Sequence, residues 1–249
     1  MLRGLLATVA FLTVIPVPRR LLDGEPTGPQ RMLWWFAPVG ALIGGLAALA
    51  AWALCPVLPW LTSAAVGIVA LAGLSGALHL DGFMDTCDGL GSRTPRERAL
   101  EIMRDSRVGA FGAIGLACLL LVKFAALAGM SPGKGLAALA IAAILGRAMQ
   151  VWVMTRFAYA RPEGGMGAEF FQAAKAGPYC LQAFGLGILV AVACAGYAGL
   201  TAAALAVLIG MAYLPYMIAR RLGGHTGDTV GAMSEVTEAV FLLVFAAVA

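Results

Sequence analysis

Residues 60–91 read Trp60-Leu61-Thr62-Ser63-Ala64-Ala65-Val66-Gly67-Ile68-Val69-Ala70-Leu71-Ala72-Gly73-Leu74-Ser75-Gly76-Ala77-Leu78-His79-Leu80-Asp81-Gly82-Phe83-Met84-Asp85-Thr86-Cys87-Asp88-Gly89-Leu90-Gly91. Positions 60–80 contain no Asp, Glu, Lys or Arg, and Asp81, Asp85 and Asp88 then arrive within eight residues. An uncharged run of that length is what a helix needs to cross hydrocarbon, about 20 residues. Unpaired carboxylates are costly in the membrane core, so the segment reads as a membrane span that opens directly into a polar site.

The rest of the chain has the same character. Of 249 residues, 61% are hydrophobic and 12% charged, and the mean hydropathy is +0.89. A soluble domain carries about a quarter charged residues, so a large soluble domain is excluded. The fold class expected is all-α: a polytopic membrane helical bundle of about seven transmembrane helices, near 32–54, 60–80, 108–130, 135–155, 180–198, 200–219 and 230–248. No repeat or soluble linker interrupts it, so residues 1–249 form one integral membrane domain. Leu2 to Ile15 is apolar but short and runs into Pro16, Pro18, Arg19 and Arg20 rather than a small-residue cleavage site, which predicts an uncleaved interfacial or re-entrant helix. Glycine and alanine dominate the spans and allow close helix packing. The five cysteines are odd in number and contain no CxxC, excluding a disulfide scaffold.

Lys and Arg separate by loop. Arg3, Arg19, Arg20 and Arg31 precede the first span; Arg93, Arg96, Arg98, Arg104 and Arg107 follow the second; Arg156, Arg161 and Lys175 follow the fourth; Arg220 and Arg221 precede the last. These alternate connections hold fourteen of the seventeen basic residues. The positive-inside rule places them in the cytoplasm with the N-terminus, so the active site faces the cytoplasm of a plasma (inner) membrane protein.

On a helix continuing past residue 80, Asp81, Asp85 and Asp88 fall at i, i+4 and i+7 on one face, where like charges repel. A cation among them relieves this, and hard carboxylate oxygens suit Mg²⁺ or Mn²⁺ completed by substrate phosphates. Downstream, Thr94-Pro95-Arg96-Glu97 reads as a helix start with Thr94 as N-cap. The block Arg104-Asp105-Ser106-Arg107-Val108-Gly109-Ala110-Phe111-Gly112 adds Asp105 as a fourth candidate ligand, and Arg104 and Arg107 as phosphate binders. Arg147 lies inside a span, and Glu235 and Glu238 lie in the last one; intramembrane ionisable groups are functional candidates. Arg161, in the glycine-rich loop 161–171, and His225, Asp228 and Glu235, near the start of the last span, complete the candidate substrate-binding set.

The string His79 to Gly91, the Arg104 to Gly112 block, Thr226-Gly227-Asp228 and the opening Phe11-Leu12-Thr13-Val14-Ile15-Pro16-Val17-Pro18 closely resemble the adenosylcobinamide-GDP ribazoletransferase family, also called the cobalamin 5′-phosphate synthase family. The likeness spans nearly the whole chain. It implies a Mg²⁺-dependent transferase of cobalamin biosynthesis that joins adenosylcobinamide-GDP to α-ribazole or its 5′-phosphate and releases GMP. On that basis Asp81, Asp85, Asp88 and Asp105 bind metal, Arg104, Arg107 and Arg147 orient the diphosphate, and Asp88 is the general base, with Asp105 beside it. The central motif also resembles the CDP-alcohol phosphotransferase signature but lacks its Ala-Arg pair. The implied partners are those small molecules and membrane lipid, not nucleic acid, and homo-oligomerisation stays open. The competing class is a transporter in which Glu235, Glu238 and Arg147 line a translocation path.

Overall fold

The computed structural model describes residues 1–22, 27–161, 163–164, 166–175 and 177–248. Among these the chain is helical throughout, with no strand and a single isolated bridge between Tyr159 and His225. The helices are α1 (Leu2–Leu12), α2 (Pro29–Leu33), α3 (Phe36–Leu54), α4 (Trp60–Leu74), α5 (Leu78–Gly91), α6 (Arg96–Ile102), α7 (Ala110–Ala128), α8 (Pro132–Arg156), α9 (Met166–Ala174), α10 (Tyr179–Ala212), α11 (Leu214–Leu222) and α12 (Gly227–Val248).

Helix α8 is the axis of the bundle. Pro132 at its first turn costs no hydrogen bond, and nearly every residue from Ala138 to Met154 is buried. Helix α3 crosses it at Gly40 and Gly44, where a Cβ would collide with the backbone of Leu139, Ala140 and Ala143. Such contact holds helices together where lipid removes the hydrophobic drive between them. The outer surface exposes Val69, Ile114, Leu121, Leu181, Leu189 and Leu208, an apolar rim of the kind that marks a membrane-facing surface.

Among the described residues, five helical stretches are long and apolar enough to cross a membrane: Phe36–Leu54, Ala110–Ala128, Pro132–Arg156, Tyr179–Leu222 and Gly227–Val248. The pair Trp60–Leu74 and Leu78–Gly91, bent by 86°, makes a sixth if taken as one broken span. The difference from about seven lies in Tyr179–Leu222, expected as two spans divided near 199. Inside it Gly196 adopts φ +58°, open to glycine without steric cost. Gly187 sits against Leu145 and Gly210 against Met149, one turn apart on α8. In a straight helix those glycines would be about 35 Å apart at 1.5 Å per residue, so the stretch folds back on itself as a hairpin.

The segment 60–91 corrects the expectation of a continuous helix. It breaks at Ser75–Ala77, where Gly76 and Ala77 take left-handed conformations (φ +60° and +56°). The break is internally satisfied, as a membrane requires. The Ala77 N–H donates to the Ala72 carbonyl at 2.8 Å, and the Val14 N–H, just past α1, donates to the Leu74 carbonyl at 2.9 Å. The short N-terminal helix therefore docks where the span is broken. Helix α6 starts one residue later than expected: Pro95 occupies the N-cap, no side chain caps it, and the Thr94 hydroxyl pairs with Ser92 instead.

Candidate active site

Three of the four basic connections meet at one end of the bundle. Arg96 donates to the carbonyls of Leu222 (2.6 Å) and Ala160 (2.7 Å), Arg221 donates to the Thr94 carbonyl, and Arg104 pairs with Glu163. Three loops far apart in sequence are thereby tied together, in agreement with the alternation of charge along the chain. Arg96, which spacing alone reads as a solvated helix residue, is the hub of this lattice.

Helix α5 is brought to this end by two partners. A Cβ at Gly82 would strike the backbone of Asp228, and Gly231 of α12 faces His79, so α5 and α12 cross in close contact and set Asp228 beside the aspartate face of α5. Asp85 lies within electrostatic reach of Asp228, Asp81, Asp88 and Arg161. Asp88 holds α5 to α7: its two oxygens accept the Gly109 and Gly112 N–H groups, each at 2.8 Å. Those amides are otherwise orphaned at the start of α7, where a carboxylate also complements the helix dipole.

Asp81, Asp85, Asp88, Arg104, Asp105 and Arg107 all line one polar cavity of about 260 Å³. Spacing in two separate blocks thus converges on one wall. Within it the groups differ in freedom. Asp81 is exposed and Asp85 half-buried, whereas Asp88 is buried. Asp105 is clasped by Arg107 (2.6–3.1 Å), whose hydrogen bonds hold its carboxyl down at about 2. Among the described residues no three His, Cys, Asp or Glu side chains form a group that could by itself hold an ion. The donor chemistry fits Mg²⁺ of the kind that takes one or two carboxylates and completes its shell with phosphates, not an all-protein cage.

Arg147, Glu235 and His225 lie elsewhere. Arg147, Glu235, Glu238 and Lys123 form a closed intramembrane network, in which Lys123 pairs with Glu235 and with Glu238 (2.8 Å) and Arg147 pairs with Glu238. All four are buried. The space they border is about 10 Å³, room for no more than a water molecule. Arg147 and Glu235 therefore line neither the polar cavity nor a translocation path; burial forces each charge onto a partner instead of a ligand. His225 is enclosed as well, its ring nitrogens engaged by Thr229 and Pro215 at 3.0 Å and its face against Phe157. Burial pushes its imidazole down to about 4. Arg161 pairs with Asp228 at 2.8 Å. Pro162 and Gly165 of the glycine-rich loop lie outside the described residues.

A second cavity, of similar volume and largely apolar, adjoins the first, and Asp81 lines both. Nothing in the spacing of Phe11, Phe36, Phe170 and Gln150, which help to line it, brings them together. The one signal was that an apolar N-terminal segment too short to span a membrane needs a docking place.

A family model described as Cobalamin-5-phosphate synthase matches residues 4–246. A protein of Klebsiella pneumoniae (strain 342) named adenosylcobinamide-GDP ribazoletransferase is 39% identical over 246 residues, 98% of this chain and 99% of the relative. A relative of the same name from Desulforamulus reducens is 37% identical over 98% of this chain and 96% of its own, and one from Sinorhizobium medicae is 39% identical over 94% and 92%. No solved structure matches the chain.

Proposed function

Since the chain belongs to the cobalamin-5-phosphate synthase family, we propose that it joins adenosylcobinamide-GDP to α-ribazole or its 5′-phosphate, releasing GMP, in the polar cavity between α5 and the loop 103–108. The chain is a transferase of the late cobalamin pathway and a multi-pass membrane protein. What carries the proposed reaction is the convergence of three aspartates from one helix and two arginines from a separate loop on a single cavity.

In this reading Arg104 and Arg107 hold the diphosphate, since guanidinium forks match phosphate oxygens. Asp85, backed by Asp88, would hold a Mg²⁺ ion, which would supply neutralisation of the charge that gathers on the departing GMP. Asp88 is less suited to accept a proton than its spacing suggests, because both of its oxygens already accept amide hydrogens. The role of base passes to Asp81, the exposed carboxylate on the wall common to both cavities. The acceptor hydroxyl loses its proton to Asp81 as its oxygen bonds to the phosphorus on the corrinoid side. The anhydride P–O bond to GMP breaks, and the electron pair leaves with GMP. The basic end of the bundle faces the cytoplasm of the inner membrane, in keeping with its arginines.

The test is GMP release by the purified protein in nanodiscs, given adenosylcobinamide-GDP and α-ribazole, with and without Mg²⁺. Release that requires both substrates and stops on chelation supports the proposal. Absence of release with everything present removes it.

A further inference from the structure

We infer that the apolar cavity beside the aspartate cluster binds the flat, bicyclic aromatic base of the nucleoside acceptor, so that this base and the donor's diphosphate occupy separate chambers divided by Asp81. This rests on the proposed reaction and deepens it.

Phe11 and Phe170 stack with centroids 5.3 Å apart and planes 16° apart, and Phe36 closes the cluster 5.8 Å from Phe170. The three rings come from α1, α3 and α9, and make one aromatic wall of the cavity. A planar aromatic guest packs against such a wall offset or edge-on. At about 260 Å³ the chamber lies just below the usual range of ligand sites, roughly 300–1,000 Å³. That is room for a bicyclic base and too little for a corrin macrocycle with its side chains.

Two polar groups among these apolar walls lack a purpose in the fold. The Nδ1 of His79 and the Oε1 of Gln150 are buried without a hydrogen-bond partner, on residues only 3% and 2% exposed, and both residues line the cavity. A buried unpartnered polar atom is disfavoured, and two of them in one chamber point to a ligand that brings its own donor or acceptor. A heterocyclic nitrogen and a sugar hydroxyl supply that chemistry. Asp81 and Asp228, at the edge of the same cavity, place the carboxylates where the sugar leaves the aromatic wall, which delivers its hydroxyl towards the diphosphate chamber.

The test measures α-ribazole binding directly, by titration of the protein in nanodiscs with and without the GDP-linked donor, alongside turnover. The wild type is expected to bind α-ribazole, with benzimidazole alone as a competitor. Gln150→Leu removes one unpartnered group. Gly227→Phe fills the chamber from a position with open space around its Cβ, so it does not depend on disturbing the packed interior. Each is expected to weaken α-ribazole binding by about tenfold or more, while the KM for the donor and the melting temperature hold. Unchanged α-ribazole affinity in both variants overturns the inference even if the wild type turns over. A wild type that binds α-ribazole neither alone nor with the donor also overturns it. Binding that is lost in both variants from a wild type that releases no GMP keeps the chamber and removes the proposed reaction.

Discussion

Among the described residues, two groups of charges sit in this bundle, and they are treated differently. In the membrane interior, two cations, Lys123 and Arg147, face two anions, Glu235 and Glu238, and every charge has a partner. At the basic end, Asp81, Asp85, Asp88 and Asp228 gather, and among the described residues Arg161 alone pairs with one of them, Asp228. The first group is complete without a ligand; the second carries an excess of negative charge beside an open cavity. An ionisable residue within a span is thus not automatically functional. What separates the groups is whether the protein's own charges already balance.

The sharpest way to break this contrast is substitution in each group. Asp85→Asn is expected to lower ribazole transfer by at least about a hundredfold, the scale of a lost transition-state electrostatic contact, with no fall in melting temperature. Glu238→Gln leaves Lys123 and Arg147 short of a counter-charge, and is expected to destabilise the bundle by roughly 3–5 kcal/mol, read by thermal unfolding in detergent. The surviving folded fraction should keep its KM values within about threefold, the tolerance expected where no ligand contact is lost. If Asp85→Asn melts the protein, or Glu238→Gln abolishes catalysis in a stably folded one, the division fails.

Smaller effects sharpen the boundary. Asp88→Asn replaces an oxygen that accepts an α7 amide by a donor, so a loss of about 1–3 kcal/mol is expected, together with hydrogen-exchange opening of the first turn of α7. Arg107→Ala, in a side chain exposed at the cavity mouth, should raise the KM for the donor by about tenfold and leave stability untouched. The least effect comes from His225. Its folded pKa of about 4 lies below the ordinary 6.5, so the unfolded chain binds the extra proton first. The stability this contributes is fully present above pH 6.5 and is lost as pH falls through 4. The melting temperature should decline across that interval, and His225→Gln should flatten the decline.

Much of the candidate site was legible in the sequence. The period of Asp81, Asp85 and Asp88 put them on one face, and the Arg104 to Gly112 block supplied Arg104, Asp105 and Arg107 to the same cavity. Other features had no local signature. Lys123 gives no hint in its own helix that it neutralises two glutamates more than a hundred residues away. Asp88 carries the same spacing as its neighbours, yet its oxygens belong to α7. Gln150 and the three phenylalanines read as ordinary span residues until helices from both ends of the chain surround one space. The break at Gly76 was obscured because its apolar neighbours continue the hydropathy of a straight span.

Composition, hydropathy and the alternation of basic loops by themselves determined an all-helical membrane bundle with its chemistry at one end, because the cost of burying charge and backbone in lipid leaves few alternatives. Only the tertiary structure decided which charges cancel and which stay open, and where an aromatic chamber meets the carboxylates. Pairing and enclosure depend on distances between segments that are remote along the chain, and spacing within one helix carries no record of them.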